Sequence, residues 1–101
     1  MAEIQDASGH KMATIDDDGV VKDLTNVILG KVSLNGEVFD DKNVKVGRFE
    51  EGNGYIYDED NRHVGTSKND GTVYDYENRL IGKVTHGHIQ TAAAALLLLV
   101  R

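Results

Sequence analysis

The sequence predicts a mainly β protein: an antiparallel meander of about five tandem 17-residue hairpin repeats, capped by a short C-terminal α-helix. Three observations predict this fold. One short pattern of residues returns five times along the chain. Turn-forming dipeptides stand at the joints between the copies. The last residues leave the pattern and form an uninterrupted apolar run.

The overall composition indicates one domain, residues 1–101, with an acidic surface. The chain has 101 residues, no cysteine and a formal net charge of −6. This length is typical of a single domain, and without cysteine neither a disulfide nor a Cys-ligated metal site can form. Because an acidic chain lacks the excess of Lys and Arg that neutralises phosphates, we expect no nucleic-acid partner.

Neither end of the chain predicts targeting or membrane insertion. The first ten residues contain no basic region followed by an apolar run, so we expect no signal peptide. The longest apolar run, residues 92–100, would span only about half of a bilayer core as a helix, so we expect no membrane span. These two expectations favour a cytoplasmic protein.

Five columns of the repeat hold in all five copies, counted from the first residue of each unit. The third column is β-branched, the fifth is Asp, the eighth is Asn or Gly, the eleventh is apolar and the twelfth is Gly or Ala. Such agreement indicates internal duplication. The units cover residues near 2–18, 19–35, 36–53, 54–70 and 71–87.

Each unit is predicted to form a β-hairpin. An Asp side chain can accept a backbone N–H two residues further on, and Asn or Gly three residues later tolerates a left-handed backbone. This pattern is typical of a type I turn closed by a left-handed residue, which would place the third column opposite the eleventh. Every joint carries Asp-Gly or Asn-Gly, so we expect a two-residue type I′ turn there as well.

In this predicted register the sheet has an apolar stripe on each face. The third and eleventh columns would line one face, and the fourteenth column would lie near the fourth column of the next unit on the other. A single sheet cannot bury both stripes alone, so something must cover each face. Exposed edge strands would offer a further route to association.

The C-terminal run predicts a buried helix over residues 91–100. Thr91 can cap its N-terminus, and Ala and Leu are the strongest helix formers. A helix that is apolar all round must be buried. Two alternatives remain open: a lid on its own sheet, or a seam between copies of the chain. The predicted interface residues are Leu96, Leu97, Leu98, Leu99 and Val100.

The repeat unit, written G-x-V-x-D-x-x-N-x-x-x-G-x-V, resembles the short tandem β-hairpin repeats of several families of unknown function. The last copy is also similar to the opening of PRC-barrel domains, where a Val-x-Asp-x-x-Gly turn leads to Ile-Gly-x-Val. The string YDYENRL resembles the tyrosine–aspartate repeats of bacterial toxin shells. None of these resemblances implies a catalytic residue. The residues that match the PRC-barrel pattern are Tyr74, Asp75, Ile81, Gly82 and Val84.

Four tyrosines in the last two units are the candidate ligand-binding residues: Tyr55, Tyr57, Tyr74 and Tyr76. An aromatic sheet face can bind carbohydrates, peptides or other proteins. The same rings could instead pack against the predicted helix.

Catalytic and metal sites are not indicated. Residues 16–18 are consecutive aspartates, whereas the acidic ligands of a calcium loop alternate. His86 and His88 have no third ligand at a suitable spacing. The serines lack the context of a catalytic triad. We therefore expect no enzyme activity, no metal and no cofactor.

These observations predict a non-catalytic structural or protein-interaction module. Its expected partner is another protein or further copies of the chain in a homo-oligomer. The alternative is a small module that binds a carbohydrate or a peptide through an aromatic sheet face.

Overall fold

In a computed structural model, which describes residues 2–33, 35–50, 52–85 and 89–100, ten antiparallel strands form one closed barrel. Each strand pairs with its neighbours in sequence, and β1 pairs with β10 to close the ring. The predicted fold class, mainly β with a short C-terminal helix, is confirmed. We number the five repeat hairpins in chain order: hairpin 1 is β1 with β2, and hairpin 5 is β9 with β10. The strands are β1 Ala2–Asp6, β2 Lys11–Ile15, β3 Val20–Asp23, β4 Ile28–Val32, β5 Glu37–Asp40, β6 Lys45–Phe49, β7 Tyr55–Asp58, β8 His63–Ser67, β9 Thr72–Asp75 and β10 Leu80–Thr85.

The hairpin turns have the predicted chemistry. In hairpin 2, Asp23 Oδ1 accepts the backbone N–H of Thr25 at 2.9 Å and that of Val27 at 3.0 Å. Asn26 has a φ of 72°, in the left-handed region. The other four hairpins repeat this arrangement. The Asp and Asn columns therefore form the predicted type I turn closed by a left-handed residue.

The predicted register inside the hairpins is wrong by one residue. The third column faces the twelfth, so that Val21 pairs with Gly30 and Val38 pairs with Gly47. The eleventh column is the extra residue of a β-bulge, which leaves it without a partner in the ladder. These bulge residues pack against the core and are Met12, Leu29, Val46, Val64 and Ile81.

The predicted type I′ turns at the joints are also wrong. At the first joint the Gly19 N–H donates to Asp16 O at 3.0 Å, and the Asp16 N–H donates to Val20 O at 3.1 Å. Only Gly19 has a positive φ there, at 85°, whereas a type I′ turn needs two such residues. The first, second and fourth joints are therefore the same three-residue loop as the hairpin turns, and the third joint is one residue longer. A loop longer than the predicted two residues moves the pairing by one residue.

Because of these two shifts, both apolar stripes point into the barrel. In the observed pairing, Val32 faces Val38, so the fourteenth column lies on the same face as the third. The predicted second apolar face and the predicted free edges are wrong, since closure removes sheet edges. The inward residues are Ile4, Val21, Val38, Ile56 and Val73 of the third column, and Ile15, Val32, Phe49, Ser67 and Val84 of the fourteenth.

The C-terminal segment lies inside the barrel that its own chain forms. It consists of α1, Ile89–Ala95, followed by a π-helical segment, Leu96–Val100. Helix α1 contacts β1, β4, β6, β8 and β10, which surround it. The four alanines of residues 92–95 are fully buried. Residues 91–97 are therefore buried without a second protein chain.

Four leucines of the π-helical segment contact hairpins 5, 4, 3 and 2 in that order, one leucine for each hairpin. Four glycines of the twelfth column leave the space that four leucine side chains occupy. Because successive leucines meet successive hairpins of a five-hairpin ring, a turn wider than that of an α-helix suits this arrangement. An α-helix has about 3.6 residues per turn, whereas the i to i+5 bonds of a π-helix give a wider turn. The pairs are Leu96 with Gly82, Leu97 with Gly65, Leu98 with Gly47 and Leu99 with Gly30.

Candidate functional site

Two of the predicted tyrosines form the centre of an aromatic cluster on the outer wall. Strand β7 holds Tyr55 and Tyr57 on either side of the inward Ile56. The ring of His63, from β8, lies 4.7 Å from the Tyr55 ring and 5.9 Å from the Tyr57 ring, measured between centroids. Tyr55 is 40% exposed. A partner can therefore reach a row of rings that the sheet holds rigidly.

Arg48 extends this row on the other side of Tyr57. Its Cζ lies 4.2 Å from the Tyr57 ring centroid. Its Nη2 and Nε donate to Asn61 Oδ1 at 2.7 and 3.1 Å, and its Nη1 lies 3.3 Å from Glu50 Oε2. A planar guanidinium stacks well on an aromatic ring and can form several hydrogen bonds at once. These contacts hold the cation in place before any partner binds.

Glu50 joins the cation to the rings. Its Oε1 accepts hydrogen bonds from Asn53 Nδ2 at 3.1 Å and from the Tyr57 hydroxyl at 3.2 Å. The bond from Asn53 is the main reason that the pKa of Glu50 is lowered from its usual 4.5, and Arg48 and Tyr57 lower it further. Partial burial, together with the hydrogen bond to Glu50, raises the pKa of Tyr57 above its usual 10.0. At neutral pH the site therefore combines an anionic Glu50, a cationic Arg48 and a neutral Tyr57.

Replacing Asn53 by aspartate is expected to raise the pKa of Glu50. The new side chain keeps the oxygen that accepts the Tyr55 N–H at 3.0 Å, but it replaces the donor to Glu50 by a second anion. Because the folded state lowers the pKa of Glu50, ionised Glu50 stabilises the fold above pH 4.5, and this is lost as the pH falls through the lowered value. Asn53→Asp should therefore reduce the loss of folding stability that protonation of Glu50 causes at acidic pH.

A carboxyl ¹³C NMR titration of Glu50 measures this change directly. The matched control is Asn69→Asp at the next joint, which should leave the titration of Glu50 as it is in the parent protein. An unchanged titration in the Asn53→Asp protein would show that the amide does not hold this carboxylate.

The other two tyrosines do not join the row. Tyr74 lies on β9 and is separated from Tyr55 by Thr66 of β8. Lys68 lies over its ring, with Nζ 4.7 Å from the centroid. Tyr76 is in the turn of hairpin 5 and is 66% exposed. We call Arg48, Tyr55, Tyr57 and His63 the aromatic patch.

Sequence reasoning did not find Arg48, Glu50 or His63 as parts of this site. Arg48 and His63 are both direct partners of Tyr57 on the neighbouring strands. The predicted hairpin register also places His63 opposite Tyr57, whereas Arg48 reaches Tyr57 only in the observed register of the joint. The correct loop length at the joint between β6 and β7 would have placed Arg48 beside Tyr57 as well.

The five predicted interface residues divide into two groups. Leu96 and Leu97 are buried inside the barrel, whereas Leu98, Leu99 and Val100 are half-buried. An interface through the tail stays a prediction, and it depends on the last three of these residues.

The residues considered for metal binding do not form a metal site in the part of the chain that the structure describes. Among the described residues, no three His, Asp or Glu side chains lie close enough to hold a metal ion. His86 and His88 lie outside the described residues. Within the described ranges, no helix is both long enough and apolar enough to cross a membrane.

Comparison with known proteins identifies the repeat architecture. A protein-family model described as "5-fold beta-flower protein" matches residues 1–101, the whole length of the chain. No curated protein and no solved structure matches the chain significantly. The description of the family agrees with the five hairpins around one axis.

Proposed function

Since the chain belongs to the family of 5-fold beta-flower proteins, we propose that it is a non-catalytic protein-interaction module. Its own tail fills the centre of the barrel, where Leu96 is only 1% exposed. A partner would therefore bind to the outer wall. The aromatic patch is the part of this wall best suited to recognition.

The observation that carries this proposal is the fixed row of Arg48, Tyr57, His63 and Tyr55. Tyrosine and arginine are enriched among the residues that dominate protein–protein binding energy. Ordering flexible side chains usually opposes association. Here the contacts of Arg48 with Asn61 and Glu50 provide that order in advance. The rings of the patch would contact an apolar side chain of the partner, and Arg48 would donate to a hydrogen-bond acceptor of the partner next to it.

A carbohydrate is the second candidate ligand. The exposed Tyr55 ring stands beside Asn53 and Thr66, which can hydrogen-bond to hydroxyl groups. An apolar ring face with adjacent polar groups suits a sugar as well as a peptide.

Tyrosine fluorescence during titration with a panel of peptides and glycans tests the proposal. We expect a saturable response with at least one peptide, weakened about tenfold or more by Tyr55→Ala, since a residue that dominates binding contributes about 2 kcal/mol. Tyr76→Ala is the matched control and should bind as the parent protein does. A response to glycans alone would favour the second candidate. Equal effects of both substitutions would contradict a role for the aromatic patch.

A further inference from the structure

The outer wall has a charge opposite to that of the whole chain. The chain carries a net −6, yet the outward positions of the ten strands hold six cationic and two anionic side chains, a net +4. The other acidic residues that the structure describes lie at the strand ends and in the turns. The barrel thus has a cationic wall between two acidic ends. The wall charges are Lys11, Lys22, Lys31, Lys45, Arg48 and Lys83, against Glu3 and Glu37.

Half of these cations are paired within the protein. Lys11 pairs with Glu3 at 3.5 Å, and Lys45 pairs with Glu37 at 3.1 Å. Arg48 pairs with Glu50, as described above. Among the residues that the structure describes, Lys22 of β3 and Lys31 of β4 have no ion pair. These two neighbouring strands therefore each present one lysine that has no ion pair within the described residues, with Asp23 at the end of β3.

Apolar side chains lie beside both lysines. In one row across the wall, Lys31 lies between Val20 and Phe39. In the next row, Lys22 lies beside Ile28, which is 51% exposed. We call these five residues the lysine patch. The adjoining turn adds two further exposed aliphatic side chains, Leu24 and Val27.

We propose that the lysine patch docks an acidic segment of a partner protein in which aliphatic side chains alternate with carboxylates. The lysines would pair with the carboxylates, and Val20, Ile28 and Phe39 would cover the aliphatic groups. Exposed ion pairs contribute little by themselves, so burial of apolar surface supplies most of the affinity. The charges supply the rate of association and the selectivity.

An anionic membrane is a poorer match for the same patch. The whole chain is acidic, and the shortest extent of the molecule is 19 Å. The two acidic ends therefore stay within a short distance of any surface that contacts the wall. Anionic lipids would repel them over about a Debye length.

The docking proposal is independent of the aromatic patch, because the two surfaces lie on different strands. Fluorescence anisotropy of a labelled peptide of alternating Glu and Leu, added to the full chain, tests it. We expect saturable binding that weakens about tenfold or more between low and high salt. Peptides of alternating Lys and Leu, or of Glu and Ser, should not bind.

Two double variants locate the binding surface. Lys22→Glu with Lys31→Glu should weaken binding about tenfold or more. Lys11→Glu with Lys83→Glu changes the net charge equally but lies elsewhere on the wall, and it should retain the parent affinity. Ile28→Ser should also weaken binding. Circular dichroism of each variant establishes that the barrel is intact.

Four outcomes would overturn the proposal. The first is no saturable binding of the Glu-Leu peptide, and the second is an equal loss in both double variants. The third is binding to anionic phospholipid vesicles that depends on Lys22 and Lys31, which would assign the patch to a lipid surface. The fourth is self-association in light scattering that Lys22→Glu with Lys31→Glu abolishes, which would make the occupant a second copy of the chain.

Discussion

Leu96→Ala is expected to destabilise the protein by about 2–5 kcal/mol, as measured by urea unfolding. Leu96 is 1% exposed. A Cβ placed on Gly82 would lie only 2.6 Å from Leu96 Cδ2, so this side chain fills the space that the glycine leaves. Truncation to alanine would leave a cavity at the centre of the barrel, and the closed wall has little freedom to collapse into it.

Leu80→Ala is the matched control, because the same substitution is made on the outer wall. Leu80 is 43% exposed, and its replacement should change the stability by less than about 1 kcal/mol. Equal effects at both positions would contradict an intramolecular packing of the tail. An unfolding midpoint that depends on protein concentration would point to a tail shared between chains.

Gly65→Ala is expected to destabilise the barrel by about 1–3 kcal/mol or more. An added Cβ would lie 2.5 Å from Leu97 Cδ1 and closer still to the backbone oxygen of Tyr74. The leucine could move, but the oxygen belongs to the neighbouring strand of a closed sheet. The same unfolding experiment measures the loss.

The double variant Gly65→Ala with Leu97→Ala separates the two clashes. We expect no rescue, because shortening the leucine leaves the carbonyl of Tyr74 in place. Gly52→Ala is the control, since a Cβ there meets no atom within 4 Å, and its effect should stay within about 0.5 kcal/mol. A full rescue by Leu97→Ala would mean that the helix, and not the wall, requires the glycine.

The candidate site was predictable only in part. Tyr55 and Tyr57 were identified because aromatic residues are visible as a cluster in the sequence. Arg48 was not identified, because its contact with Tyr57 depends on the register across a joint. His63 lies opposite Tyr57 in the predicted register as well, but nothing in its own pattern marked it as part of an aromatic cluster. The register depends on one bulge residue in each hairpin and on the length of the loop at each joint. A one-residue error moves every side chain of a strand to the other face.

The sequence by itself determined the hairpins. Asp at the fifth column and Asn or Gly at the eighth specify each turn through local hydrogen bonds and a left-handed backbone. These interactions span only a few residues, so they can be inferred from the chain without knowledge of its partners in space. The apolar tail likewise had to be buried, whatever covered it.

Only the tertiary structure decided what the hairpins build together. Closure of the ring depends on the pairing of β1 with β10, between the two ends of the chain. That closure turns both apolar stripes inward and creates the interior that the tail occupies. Inside the closed barrel, four leucines of the tail pack against four glycines of the wall. The physical reason for this packing is that each leucine side chain fills the space left by a glycine that is far away in the sequence. No local pattern in the chain contains that information.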